Sequence, residues 1–186
     1  MKRIQSKTEL HHNRRGIAIL WLVIWGSLFL TFFCVLLEIA TLWQAQVELN
    51  NALDSATLAA VREWDTSGLG STEIPRNVGV AYAAANPILG TPVGLNPNFQ
   101  PVNPNGNDSF NGDLVFGGLT ALTRPNSLDP AALAPATFPA VRAQITVPVQ
   151  GFCSTLFGFS FLNVSASSIA YVNTVNGQPA LVSVGP

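Results

Sequence analysis

From Ile17 to Leu37 the chain is apolar almost without a break (IAILWLVIWGSLFLTFFCVLL), and between Arg15 and Glu38 it carries no charge. At a helical rise of ~1.5 Å per residue, a run of about 20 residues spans a hydrocarbon layer ~30 Å thick. Gly26, Ser27 and Thr31 interrupt it, and each hydroxyl can bond a carbonyl of the preceding helical turn. The run is apolar on every side, which predicts a membrane span rather than an amphipathic core helix. From Glu38 to Trp64 there is no Pro or Gly, and the apolar positions keep helical spacing. Leu42, Leu49 and Ala56 form one row, with Ala45, Ala52 and Ala59 beside it and Leu53 and Ala60 adjoining. Gln44, Glu48, Asn51, Ser55 and Arg62 fall on the other side. Gly16 to Trp64 is therefore expected to be one helical rod roughly 70 Å long. Its Ala-rich stripe invites close approach of another helix. Leu42 to Ala52 is expected to stay free for that helix, and Leu53 to Trp64 to be shared with the chain's own fold.

After the Gly-rich break SGLGS at 67–71, a short helix is expected from Pro75 to Ala85, with Val78, Tyr82 and Ala85 on one face and Asn86-Pro87 as its stop. Residues 87–112 are rich in Pro, Asn and Gly and predict a surface loop. Asp108 in this stretch and Asp113 just after it lack calcium-loop spacing, so turn chemistry accounts for them better. A short strand is expected from Asp113 to Phe116, ended by Gly117-Gly118, and then a Pro-rich connection over Ala121–Pro139. Val141, Ala143, Ile145, Val147 and Val149 alternate with polar residues, as a half-buried strand does. Phe152–Phe157 fits a short helical turn, Leu162–Val172 a second alternating strand, and Ala180–Val184 a final edge strand. Two strands with a short connection pair antiparallel. The fold class is α+β: a long N-terminal helix packed with a small, mostly antiparallel sheet.

Charge adds direction. Lys2, Arg3, Lys7, Arg14 and Arg15 face a single acid, Glu9, in the first 15 residues, whereas the remainder has four arginines against nine acids. This is the positive-inside pattern, with Arg14 and Arg15 as topology determinants. The segments are then a cytoplasmic basic tail (1–15), a transmembrane helix (16–37), an exported helical stalk (38–65) and a small exported α+β domain (66–186). The apolar run is too long for a cleaved signal peptide, no small-x-small site follows it, and Cys34 lacks a lipobox. Gly16 after two arginines resembles a prepilin-peptidase boundary, but Trp21 stands where such a peptidase expects Glu. An uncut signal-anchor is expected. Cys34 and Cys153 are expected in different environments, which argues against an intrachain disulfide.

Catalytic groupings are hard to assemble. His11 and His12 fall in the basic tail, and no lysine follows Lys7. Ser154 and Ser160 therefore have neither an exported His nor a Lys as base. There is no P-loop, dinucleotide fingerprint, CxxC or HExxH. Glu48, Asp54, Glu63 and Asp65 lie on a helix flank, where a solvated role outweighs acid–base work. The expectation is a non-enzyme with no cofactor, no metal, no nucleic-acid partner and no small-molecule substrate.

Glu38 to Arg62 (EIATLWQAQVELNNALDSATLAAVR) resembles the signature of TadE/TadG-like proteins of the tight-adherence (Tad, Flp) pilus assembly system. Glu38, Trp43, Glu48, Leu49, Asn51, Ala52, Asp54, Ala56, Leu58, Ala59 and Arg62 fit its positions, with Glu38 and Trp43 where Asp and Tyr are commoner. AYAAAN at 81–86, LVFG at 114–117 and the segment from Pro139 to Tyr171 are similar to its later elements, in the same order. The resemblance implies a pilin-like, minor-pseudopilin type component anchored in the bacterial inner membrane. Its expected partners are the lipid bilayer and other pilin-like subunits or Tad inner-membrane assembly proteins. The implied interaction face of the helix is Glu38, Leu42, Trp43, Ala45, Glu48, Leu49, Asn51, Ala52, Asp54 and Ala56. From the residues alone, an anchored adhesin or structural protein unrelated to pili, and an anchored hydrolase, remain alternatives.

Overall fold

The computed structural model describes residues 9–99, 111–122, 128–130, 138–158, 162–173 and 175–182. One helix, α1 (Glu9–Thr66), runs unbroken through 58 residues. It is followed by α2 (Glu73–Ala85), β1 (Leu114–Leu119), β2 (Leu128–Asp129), β3 (Phe138–Val149), α3 (Phe152–Phe157), β4 (Leu162–Asn173) and β5 (Gln178–Val182). The strands form one antiparallel sheet in the order β2-β1-β3-β4-β5. The fold is thus α+β, as the residue pattern predicts. The chain divides into two compact units.

The first unit holds the chain up to Thr41 together with Gln150–Phe161, which includes α3. Its part of α1 is long and apolar enough to cross a membrane, and the most apolar window has no buried share. Ser27 donates to the Ile24 carbonyl and Thr31 to that of Ser27, each at 2.9 Å, so these hydroxyls add no unmet polar group to the apolar surface.

The second unit holds Leu42–Val149 and Leu162–Pro186. Here α1 becomes the spine of a core. Ala45, Leu49, Ala52, Leu53, Ala56, Ala60, Val61 and Trp64 are fully buried, clustered with Leu114 and Phe116 of β1, Val141 and Ala143 of β3, and Ala170 and Val172 of β4. The strand alternation that predicts β3 is the alternation that turns Val141, Ala143 and Val149 to the helix. Val115, Leu119, Leu128, Ala140, Ile169 and Val182 form a smaller cluster on the opposite face of the sheet. Phe138 and Tyr171 pack edge to face beside it, with centroids 5.9 Å apart.

Four expectations need correction. β1 does not stop at Phe116 but continues through Gly117 and Gly118 to Leu119, pairing along its whole length with β3. A Cβ on Gly117 would overlap the backbone of Asp129 and Pro130, so the glycine is what lets β2 close in beside it. β2 itself lies within the stretch expected to be only a connection. The buried face of α2 is Pro75, Arg76, Gly79 and Ala83, whereas Tyr82 and Ala85 are exposed. The reason is again space: a Cβ on Gly79 would lie 3.2 Å from the Ala60 Cβ and 3.3 Å from the Ala56 carbonyl, so α2 packs on α1 along its smallest edge. Finally, residues 87–99 are irregular but not merely superficial, because Ile88, Val93 and Leu95 are buried in the main core. Residues 100–110 of that loop, with Asp108, lie outside the described residues.

Candidate functional site

The residues that carry the sequence resemblance are distributed along the second half of α1. Three of them are carboxylates, and each meets a different part of the chain. In the first unit, Glu38 receives the Cys153 N–H at 3.1 Å, the Ser154 N–H at 3.4 Å and the Ser154 hydroxyl at 2.9 Å. These are the free donors of the first turn of α3, so the carboxylate acts as that helix's cap from outside its own sequence. A side chain on Gly151 would overlap the Glu38 carboxylate, so a glycine there leaves the room it needs.

In the second unit, Glu48 receives the Leu89 N–H at 2.6 Å and the Gln44 amide at 2.8 Å. Leu89 and Gly90 both have positive φ, and Ile88 and Thr91 close the turn with two 2.8 Å backbone bonds. The Leu89 N–H, and secondarily Gln44, hold the Glu48 carboxyl below its ordinary range. Asp54 receives the Ser168 hydroxyl of β4 at 2.5 Å, and Thr57 stands 3.3 Å from the same hydroxyl. Gln46 adds a bond to the Ser165 carbonyl at 3.1 Å. The polar positions of α1 thus fasten a loop and a strand to the helix.

The apolar positions do the same by burial. Ala45, Leu49, Ala52 and Ala56 are fully buried in the chain's own core, and Leu42 is packed against it. The expectation that Leu42 to Ala52 stays free for another helix is therefore corrected. The sheet already covers that stripe, because its residues share one buried cluster with Val149 of β3 and Val164 of β4. What α1 leaves open in this unit is the opposite side: Trp43 is 71% exposed, Val47, one turn on, is 47% exposed, and Asn51 is also exposed. Arg14, Arg15 and Gly16 lie within the α1 helix.

One strongly placed residue escaped sequence reasoning. Arg76 of α2 is fully buried, donating to the Thr72 hydroxyl at 2.9 Å and to the Pro97 and Leu114 carbonyls at 2.8 and 2.7 Å. Its guanidinium lies 4.6 Å from the centre of the Phe116 ring, which also packs edge to face with Trp64, centroids 5.2 Å apart. Burial lowers Arg76 to about 10, which still leaves it charged at neutral pH. The available signal was weak: a single arginine in a short helix that also carries Glu73 and Asn77.

The two cysteines were expected in different environments, yet both fall in the first unit. Cys153 is buried, and Cys34 is its neighbour within the first unit. Both are free thiols. Separation along the chain concealed a proximity that Glu38 creates, since Cys34 lies one helical turn before it on the same face. Ser154 is buried with its hydroxyl on Glu38 and on the Gly151 carbonyl, and Ser160 lies outside the described residues. Among the described residues, no three His, Cys, Asp or Glu side chains gather at one point. Comparison with protein-family models, with curated proteins and with solved structures finds no match for this chain.

Proposed function

We propose that this chain is a non-enzymatic, inner-membrane-anchored component of a tight-adherence type pilus or secretion machine, held by α1 with its N-terminus cytoplasmic and its sheet exported. The observation that carries the reading is the division of labour along one continuous helix. Over Ile17–Leu36 its large apolar side chains are exposed, and over Ala45–Trp64 one stripe of it is the spine of a core. Exposed apolar surface on that scale is costly in water and neutral in lipid. The ordered resemblance of the Glu38–Arg62 segment and its later elements to TadE/TadG-like proteins supplies the biological class. The basic tail supplies the orientation.

With the Ala-rich stripe internal, the partner-facing surface of the stalk is Trp43 and Val47, with Asn51 beyond them. A partner helix meets this side, and the carboxylates work inward. The test combines topology with association. A reporter fused after Pro186 is active only in the exported compartment, and tagged protein extracted from membranes co-purifies with pilus-assembly proteins. W43A loses those partners while staying inserted and abundant. A reporter active in the cytoplasm rejects the orientation, and undiminished co-purification of W43A rejects the contact.

A further inference from the structure

The connection between β3 and β4 has no role in the reading above. It contains α3 and belongs to the same compact unit as the apolar part of α1. Glu38 is the first charge after Arg15, so it marks the end of the lipid-length run. Its carboxylate holds the first turn of α3 by three hydrogen bonds. Cys34 lies one turn deeper, and it is half-buried while Phe33 and Val35 beside it are more than half exposed. Its neighbour there is Cys153 of α3. The start of α3 therefore reaches from the level of Glu38 down to that of Cys34, which is inside the apolar run.

Between Gly151 and Cys153, which both abut the Glu38 carboxylate, α3 presents Phe152, its first residue, 62% exposed. No charged residue occurs anywhere between Arg142 and Pro186, so nothing ionic in residues 150–162 opposes entry into a low-dielectric layer. The charge that stands nearest, on Glu38, is covered by amide and hydroxyl donors of α3 itself. An aromatic side chain at the boundary of a span is stabilised in the headgroup and upper acyl region.

We propose that α3 is a membrane foot: the tip of the β3–β4 connection docks into the exported-side headgroup layer beside the chain's own span, with Phe152 inserted among the lipids. The occupant of this surface is lipid, because the residues on either side of Phe152 abut Glu38, where the exposed apolar surface of α1 ends. The inference rests on the membrane-anchor reading, and its test separates the two. The full chain is reconstituted in vesicles of phosphatidylcholine and phosphatidylglycerol, with part of the phosphatidylcholine brominated at a shallow or a deep acyl position. One variant, W21F/W43F, keeps Trp25 near the middle of the apolar run. A second, W21F/W25F/W43F/F152W, reports on α3, and W21F/W25F/W43F alone gives the baseline of the buried Trp64.

Trp25 is expected to be quenched most by deep bromines. The F152W indole is expected to be quenched at least two-fold beyond baseline, and more by shallow bromines than by deep ones. Quenching of Trp25 without quenching of the F152W indole overturns the foot and leaves the anchor standing; it would mean that water, a second copy or another protein meets this surface. Absence of quenching at both positions overturns the anchor and the foot together. Replacing one exposed aromatic by another at position 152 disturbs no buried contact, and circular dichroism of each variant in the same vesicles verifies the fold.

Discussion

At the scale of single residues, Glu48 and Gly151 show how small groups hold unlike parts of the chain together. Glu48 is ionised more readily in the fold than in the unfolded chain, because the Leu89 N–H and the Gln44 amide bind the anion. A lowered carboxyl contributes stability that is complete above its ordinary value of 4.5 and is lost as pH falls through the lowered folded value. E48Q should therefore unfold at lower denaturant than wild type at pH 7, and the gap between the two midpoints should close as pH drops below about 4.5. An unchanging gap from pH 7 to pH 3 would show that the charge is irrelevant. Gly151 acts by absence, since a methyl group there displaces the Glu38 carboxylate from the amides of α3. Losing charge-assisted bonds at a half-exposed site costs about 1–2 kcal/mol. G151A should then speed amide hydrogen exchange at Cys153 and Ser154 roughly ten-fold, as read by mass spectrometry or NMR. Wild-type exchange rates at those two amides would remove Glu38 from its capping role.

Among the elements, α1 is the one that changes character along its length, and neighbouring positions on it should respond in opposite ways to substitution. Ala52 is fully buried under the sheet, whereas Trp43 stands on the open side. Overpacking a close-packed core costs about 1–3 kcal/mol, while changes at open surface positions usually fall within about 0.5 kcal/mol. A52F should lower the denaturation midpoint of the full chain, and W43A should leave it unchanged. Equal effects, or the reverse order, would contradict the packing of α1 on β3 and β4. The α2 helix teaches a related lesson. Its periodicity put Val78, Tyr82 and Ala85 on one face, yet Gly79 and Ala83 are the buried ones, because close approach to Ala56 and Ala60 favours the edge with the least volume.

For the whole molecule, the open question at the N-terminal end is whether the chain is cut. Arg14, Arg15 and Gly16 lie within a continuous helix, and Trp21 replaces the expected Glu. The intact mass of membrane-extracted protein should therefore correspond to a chain that keeps its basic tail; a chain starting at Ile17 would make it a processed pseudopilin. The sequence alone was sufficient for the elements whose signal is local. An uncharged apolar run determined the long helix, strict alternation determined β3 and β4, and helical spacing marked the buried stripe from Ala45 to Ala60. It was insufficient wherever the decisive contact joins distant segments. That the stripe is covered by the chain's own strands, that Glu38 meets Cys153 and Ser154, that Asp54 meets Ser168, and that Arg76 enters the core beside Phe116 all depend on which surfaces the sheet brings together. Periodicity reports that a face is apolar because that property is written in consecutive residues. What covers the face is decided by tertiary packing, since the covering atoms lie up to more than a hundred residues away and are selected by fit, volume and the need to satisfy each buried polar group.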